Sequence, residues 1–323
     1  MPPGYHRVVA RPRYTETLMI LVCGATGMLG SRVAAGLREQ GHPVRALVRP
    51  ATDASRLEAI GVEVIRGDLR DRSSLEGAVA GVSLIVSTVN TVARVMAGES
   101  GLTIGDVDER GHLDLIDVAE AAGVERFVFL SFAEPILALG SAFARAKMAV
   151  EDRLHRSALR EVIVRPEMFQ EVWLTELVQF DWKAGKVTIF GKGQTPHRYV
   201  SVDDVAKLIV HLLAAQDPPA VVEVGGPEAL TRLEAAEAYE RALGREIKRS
   251  HVPRAGLMVG SAVLRPFKPV LSSIMGQALA SDRTPTAADD RPLRAFGIDP
   301  RPASQYIAET AALHRADRSS SAP

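Results

Sequence analysis

Short apolar runs alternate with helical stripes along the first half of the chain. Strands are predicted near 18–23, 44–48, 62–66, 82–87, 125–131 and 160–164, and helices near 28–40, 73–80, 106–122 and 140–157. This β-then-α alternation, with strands apolar on both faces, predicts a parallel sheet covered by helices on either side. Beyond Arg165 the alternation breaks down. Shorter strands there mix with helices near 168–184, 202–214, 231–243 and 303–314. The expected architecture is therefore α/β, a Rossmann-type doubly wound sheet over 18–165, with a smaller C-terminal α/β substrate lobe over 166–314 interleaved with the core.

The junction between the first strand and first helix reads Gly24-Ala25-Thr26-Gly27-Met28-Leu29-Gly30. Glycines three apart let a strand turn sharply, let the backbone approach a pyrophosphate, and let the helix pack closely. The helix N-terminus adds free N–H groups and a positive dipole end. Val33, Ala34 and Leu37 then fall on one helix face, Gly41 ends the helix and Val44–Val48 follows, a βαβ unit of about 30 residues. Cofactor preference is read at the end of the second strand, about 20 residues past the glycines, where an acid favours NAD and an arginine accommodates a 2′-phosphate. Arg49 stands there, and alternation places Arg45 on its face. NADP is expected, with NAD as the alternative.

With Val44-Arg45-Ala46-Leu47-Val48-Arg49, Gly67-Asp68-Leu69, Val164-Arg165-Pro166-Glu167-Met168-Phe169, Tyr199-Val200-Ser201-Val202-Asp203-Asp204-Val205-Ala206 and Gly225-Gly226-Pro227, the chain resembles the atypical short-chain dehydrogenase/reductases of the NmrA-like kind, from about residue 18 to about 310. The resemblance implies that Gly24, Thr26, Gly27, Met28, Leu29 and Gly30 cradle the cofactor and that Arg49 meets its ribose phosphate. It implies that Asp68 and Leu69 contact adenine, that Ser87, Thr88 and Val89 form the wall beside the pyrophosphate and nicotinamide ribose, and that Lys147 and Pro166 complete the set. It leaves the substrate open.

The wider superfamily is characterised by a Tyr-x-x-x-Lys pair on the helix after the fifth strand, with a serine at that strand's end. Here the helix carries Lys147, but the position four before it is Phe143, and a phenyl ring exchanges no proton. Three functions follow. In the first, Lys147, its pKa lowered by desolvation, serves a reductase together with Ser131. Its substrate is a small apolar or aromatic carbonyl, enone or quinone; Phe132, Phe169, Trp173 and Phe180 are the aromatics available to line such a pocket, or to fill the core. In the second, the protein is a non-catalytic NADP-binding redox sensor or assembly factor with a protein partner. In the third it is an NADP-dependent isomerase. Glu134, Glu167, His197 and Tyr199 are secondary pocket candidates at strand-to-loop positions.

Composition narrows the partners. In 323 residues, 39 basic side chains balance 39 acidic ones, which argues against nucleic acid or an anionic membrane as the main partner and for a small molecule. A homodimer remains open. Cys23 is the single cysteine, so no disulfide forms within the chain; a reducing, cytoplasmic setting is expected, with Cys23 a buried filler. The eight histidines show no zinc spacing, so no metal is expected, and no G-x-S-x-G elbow is present. Residues 1–17 read as a disordered extension without a secretory leader's apolar core, and 315–323 as a disordered tail. Asp203-Asp204 opens a helix, a structural role. The apolar stretch 255–281, broken by Arg265, Pro266, Lys268 and Pro269, reads as a lid or a partner-facing helix pair.

Overall fold

The computed structural model describes residues 18–96, 99, 101–285 and 287–320. Seven strands form one all-parallel sheet: β1 (Ile20–Cys23), β2 (Val44–Val48), β3 (Glu63–Arg66), β4 (Leu84–Ser87), β5 (Arg126–Leu130), β6 (Arg160–Pro166) and β9 (Val221–Val224), in the order β3-β2-β1-β4-β5-β6-β9. The chain builds outward from β1 in one direction and then restarts at β4 in the other. The crevice beside β1 and β4 is thus the topological switch point, and the glycine turn that follows β1 lies in it.

Alternation along the strands divides the core in two. Ile20, Val22 and Val86 face helices Met28–Glu39 and Val202–Ala214, packing with Leu29, Val33, Leu37, Val205 and Ile209. Leu21, Cys23, Ile85, Phe127 and Phe129 face helices Arg72–Val79, Gly111–Ala121 and Ala142–His155. Burial of both faces explains why these strands are apolar runs rather than alternating ones.

The Rossmann unit is not confined to 18–165, because β9 and helix Val202–Ala214 complete its sheet and one helical layer. Ser201 caps that helix by accepting from the Asp203 N–H, Asp203 pairs with Arg32, and Asp204 accepts from the Arg301 N–H at 2.7 Å. The acidic pair is structural.

The lobe has its own core and a second sheet of β7 (Phe180–Asp181), β8 (Lys186–Phe190) and β10 (Lys248–Val252). Trp182 stacks on Tyr239 at 4.5 Å between ring centroids, surrounded by Met168, Leu174, Ile189 and Ile307. The helix expected over 168–184 is not formed. A short helix Gln170–Trp173 and a single turn Glu176–Val178 end at Gln179, whose φ of 59° stops the spiral, and buried Phe180 and Trp182 then alternate with Asp181 at strand period. A second correction concerns the tail, since helix Ala303–Ser320 takes in residues 315–320; residues 321–323 and the extension 1–17 lie outside the described residues. No described helix is long and apolar enough to cross a membrane.

Candidate active site

At the C-terminal edge of the sheet, a cleft of about 380 Å³ opens over the glycine turn. Its walls carry Gly24, Thr26, Gly27, Met28, Leu29, Arg49, Asp68, Leu69, Thr88 and Val89, ten of the positions singled out in the sequence. The glycines are required by geometry. Gly24 has a φ of +90°, and a Cβ on it would lie 2.6 Å from Thr88 Oγ1. A Cβ on Gly30 would lie 2.2 Å from the Gly24 carbonyl oxygen, so only hydrogen there lets helix Met28–Glu39 seat against the turn. Gly27, at the N-cap, brings no side-chain acceptor to the first-turn N–H groups, which keeps them free for an anion. This cradle fits a dinucleotide pyrophosphate.

The end of the cleft beyond β2 is cationic and held closed on itself. Arg49 makes a two-point ion pair with Glu99, and Arg94 Nε donates to the same carboxylate at 3.1 Å. Both arginines, with Thr52, line the cleft. Asp68 accepts from Arg70 Nε and Nη2 at 2.9 and 2.8 Å, and that guanidinium holds its carboxyl below the usual range and ionised. Arg45 does not join Arg49. Four residues along a strand is about 13 Å, and Arg45 instead pairs with Glu63 and donates to the carbonyls of Ala78 and Ala80.

The opposite end is organised around Lys147, with 1 % of its surface exposed. Its Nζ donates to the Leu130 carbonyl at 2.8 Å and stands 4.4 Å from the centre of the Phe129 ring. Burial pushes its pKa down to about 8, against the opposing pull of the Asp108 and Glu151 carboxylates. Asp108 lies in a single wide helical turn, Gly105–Arg110, of the π type found often at functional sites. It accepts from the Thr91 N–H at 3.1 Å, and burial raises its pKa.

His112 is wholly buried one turn further along. Its Nδ1–H donates to the Val107 carbonyl at 3.0 Å, and its Nε2 accepts from the Ser87 hydroxyl at 2.9 Å. Burial and the Lys147 charge hold its pKa near 3, so it is neutral. Ser87 therefore faces His112 and is not on the cleft wall.

Nor do Lys147, Ser131 or Pro166 line the cleft; Leu130, whose carbonyl holds Lys147, does. Ser131 is buried, and its Oγ has no hydrogen-bond partner among the described residues. Phe143, at the position of the superfamily tyrosine, is buried with Ile104 and Ala146 against Val92, Phe132 and Val270, its ring 4.9 Å edge-on from that of Phe132.

Of the secondary candidates, His197 and Tyr199 line a separate small cavity in the lobe, and Glu167 is bonded to His197 at 3.3 Å, while Glu134 is exposed. Of the aromatics, Phe169 lines the cleft and Phe180 is core. The sequence reading missed Asn90, Arg94, Asp108 and His112. Only Asp108 and His112 carried a signal, four apart and so on one face of a predicted helix.

A parallel sheet with a glycine cradle at its switch point and arginines lining the cleft beyond β2 defines a dinucleotide-binding Rossmann protein. Residues 16–268 match the profile of the NmrA-like family, and the chain belongs to that family. Among its relatives, the photosystem II assembly factor Ycf39 of Synechocystis is 26% identical over 88% of this chain and 87% of its own. The NAD(P)H azoreductase of Xenophilus azovorans is 28% identical over 71% of this chain and 76% of its own. The NADPH-dependent quinone oxidoreductase QOR2 of Escherichia coli, solved with NADPH, shares the fold with a TM-score of 0.68 at 20% identity, over 91% of this chain and 99% of its own. The expectation of NADP agrees with that bound NADPH.

Proposed function

We propose that the protein is an NADPH-dependent reductase of a small apolar or aromatic carbonyl, enone or quinone. The carrying observation is a cleft that has a glycine cradle and Arg49 on its walls and, directly behind its Leu130 wall, a buried lysine of pKa about 8. The cradle holds the pyrophosphate, and Arg49 and Arg94 take the 2′-phosphate in place of Glu99. Bound NADPH supplies the hydride. Leu130, Phe169, Val172 and Leu177 give the cleft an apolar wall that excludes water from the substrate. Lys147 holds a proton with a pKa suited to donation near neutrality, and rotation of Nζ off the Leu130 carbonyl delivers it to the substrate oxygen. The NAD(P)H azoreductase relative supports a reductase.

A second reading is a nucleotide-binding assembly or regulatory protein. Phe143 in its apolar cluster and the enclosure of Lys147 favour it, as does the Ycf39 likeness. NADPH oxidation by the purified protein with quinones, enones and azo dyes decides between them. The reductase reading expects turnover that is lost in Lys147→Ala with NADPH binding kept, and kcat falling as pH rises through about 8, where the donor loses its proton. Tight NADPH binding without turnover would establish the second reading.

A further inference from the structure

Between Pro253 and Asp282 two helices, Arg254–Leu264 and Pro269–Ser281, pack against each other as a hairpin. The second is seated: Ser272, Ser273, Ala278 and Ala280 are buried, and Val270 meets the Phe143 cluster. The first buries only Leu257. Its outer positions Ala255, Met258, Val259, Ala262 and Val263 recur at helical spacing, and all are exposed. At the tip Phe267 is 80 % exposed, flanked by Pro266 and Lys268, and exposed Leu271 follows.

The charge on the hairpin is one-sided. Residues 255–281 contain Arg265 and Lys268 and no aspartate or glutamate. At the base Arg254 and Asp282 neutralise each other. Among the described residues Arg265 and Lys268 make no ion pair, and both are exposed. A chain neutral in sum thus carries a cationic, aromatic tip on a bare aliphatic stripe.

We propose that this hairpin docks the protein on the surface of an anionic lipid bilayer, with Phe267 and the Met258–Val263 stripe entering the headgroup boundary. A helix with an apolar face and flanking Lys/Arg lies in that boundary, its aliphatic stems buried and its cations among the headgroups. A protein partner would have to match a face whose one polar side chain, Ser261, spends its hydroxyl on the Met258 carbonyl. A bilayer needs no such match. The absence of acidic residues favours phosphate headgroups over an apolar protein groove. Docking is parallel to the surface, since neither helix could span.

Co-sedimentation of the full chain with vesicles tests this, using phosphatidylcholine alone and phosphatidylcholine mixed with phosphatidylglycerol. Binding is expected to the anionic vesicles, to weaken with salt, to fall at least tenfold in Phe267→Ser, and to lose its anionic preference in the double variant Arg265→Gln, Lys268→Gln. Thermal unfolding of these exposed-site variants is expected to match the parent, which separates docking from folding. Absence of vesicle binding, or equal binding by Phe267→Ser, would overturn the proposal. So would a concentration-dependent doubling of mass abolished by Phe267→Ser, which would assign the stripe to a second copy of the chain.

Discussion

The two ends of the cleft are built by opposite means. At the adenosine end, backbone does the work: Gly24 and Gly30 bring turn and helix into contact, and charged side chains meet solvent with a carboxylate in reserve. At the Lys147 end, side chains do it, and a cation, a carboxylate and a neutral imidazole are buried within aromatic surroundings. The first end opens into the cleft, its two arginines held by one carboxylate. At the second, Lys147 is bonded to the Leu130 carbonyl and does not line the cleft. On the proposed function, binding and chemistry would rest on different residues, since a fold alone does not fix its activity.

The largest effect that would break this comparison is at Gly30. Gly30→Val sets a Cβ against the Gly24 carbonyl at 2.2 Å, and NADPH binding by calorimetry is expected to fall at least about 100-fold, roughly 3 kcal/mol, with a lower Tm. Unchanged affinity would show that the cradle does not hold the nucleotide.

Next is the pH dependence of Lys147. Its folded pKa, about 8, lies below the ordinary 10.5, so the burial penalty on the ammonium is complete below pH 8 and is relieved between 8 and 10.5. Relative to Lys147→Met, wild-type stability should therefore rise with pH across that window by up to about 3 kcal/mol and stay flat below it. Denaturant midpoints at several pH values read this directly; parallel curves would place the lysine in solvent.

At the adenosine end, Arg49→Ala should weaken NADP binding about tenfold to fiftyfold, about 1.4–2.3 kcal/mol, and leave NAD unchanged. Equal losses for both nucleotides would remove the 2′-phosphate role. The smallest effect sharpens the comparison. Glu99→Gln frees Arg49 and Arg94, so NADP should bind a few-fold more tightly, about 1 kcal/mol, with NAD indifferent. A weaker NADP complex would show that Glu99 orders the arginines rather than competing with the phosphate.

Much of the adenosine end was legible because it is local. Gly24 to Gly30 is one turn with one conformational demand, and the following strand is only a dozen residues away, which is enough to place Arg49. Arg45 shows the limit: alternation gives its face correctly, but distance along the strand puts it at the wrong end. The Lys147 end was legible in one residue and not in its surroundings. Asp108 and His112 come to it from the stretch between β4 and β5, through a π-type turn that periodicity does not announce. Over 168–184 apolar content suggested a helix, whereas Gln179 at positive φ resets the spacing to that of a strand.

The sequence by itself determined the βαβ order, the switch-point turn and the absent tyrosine, because each depends on neighbours within a few residues. Tertiary structure alone decided that Ser87 turns to His112, that Lys147 is sealed behind Leu130, that Glu99 lies across Arg49 and Arg94, and that one hairpin face is left uncovered. Those outcomes depend on burial and on charges brought together over long separations, and pattern along a chain does not encode which side of a wall a side chain will stand on.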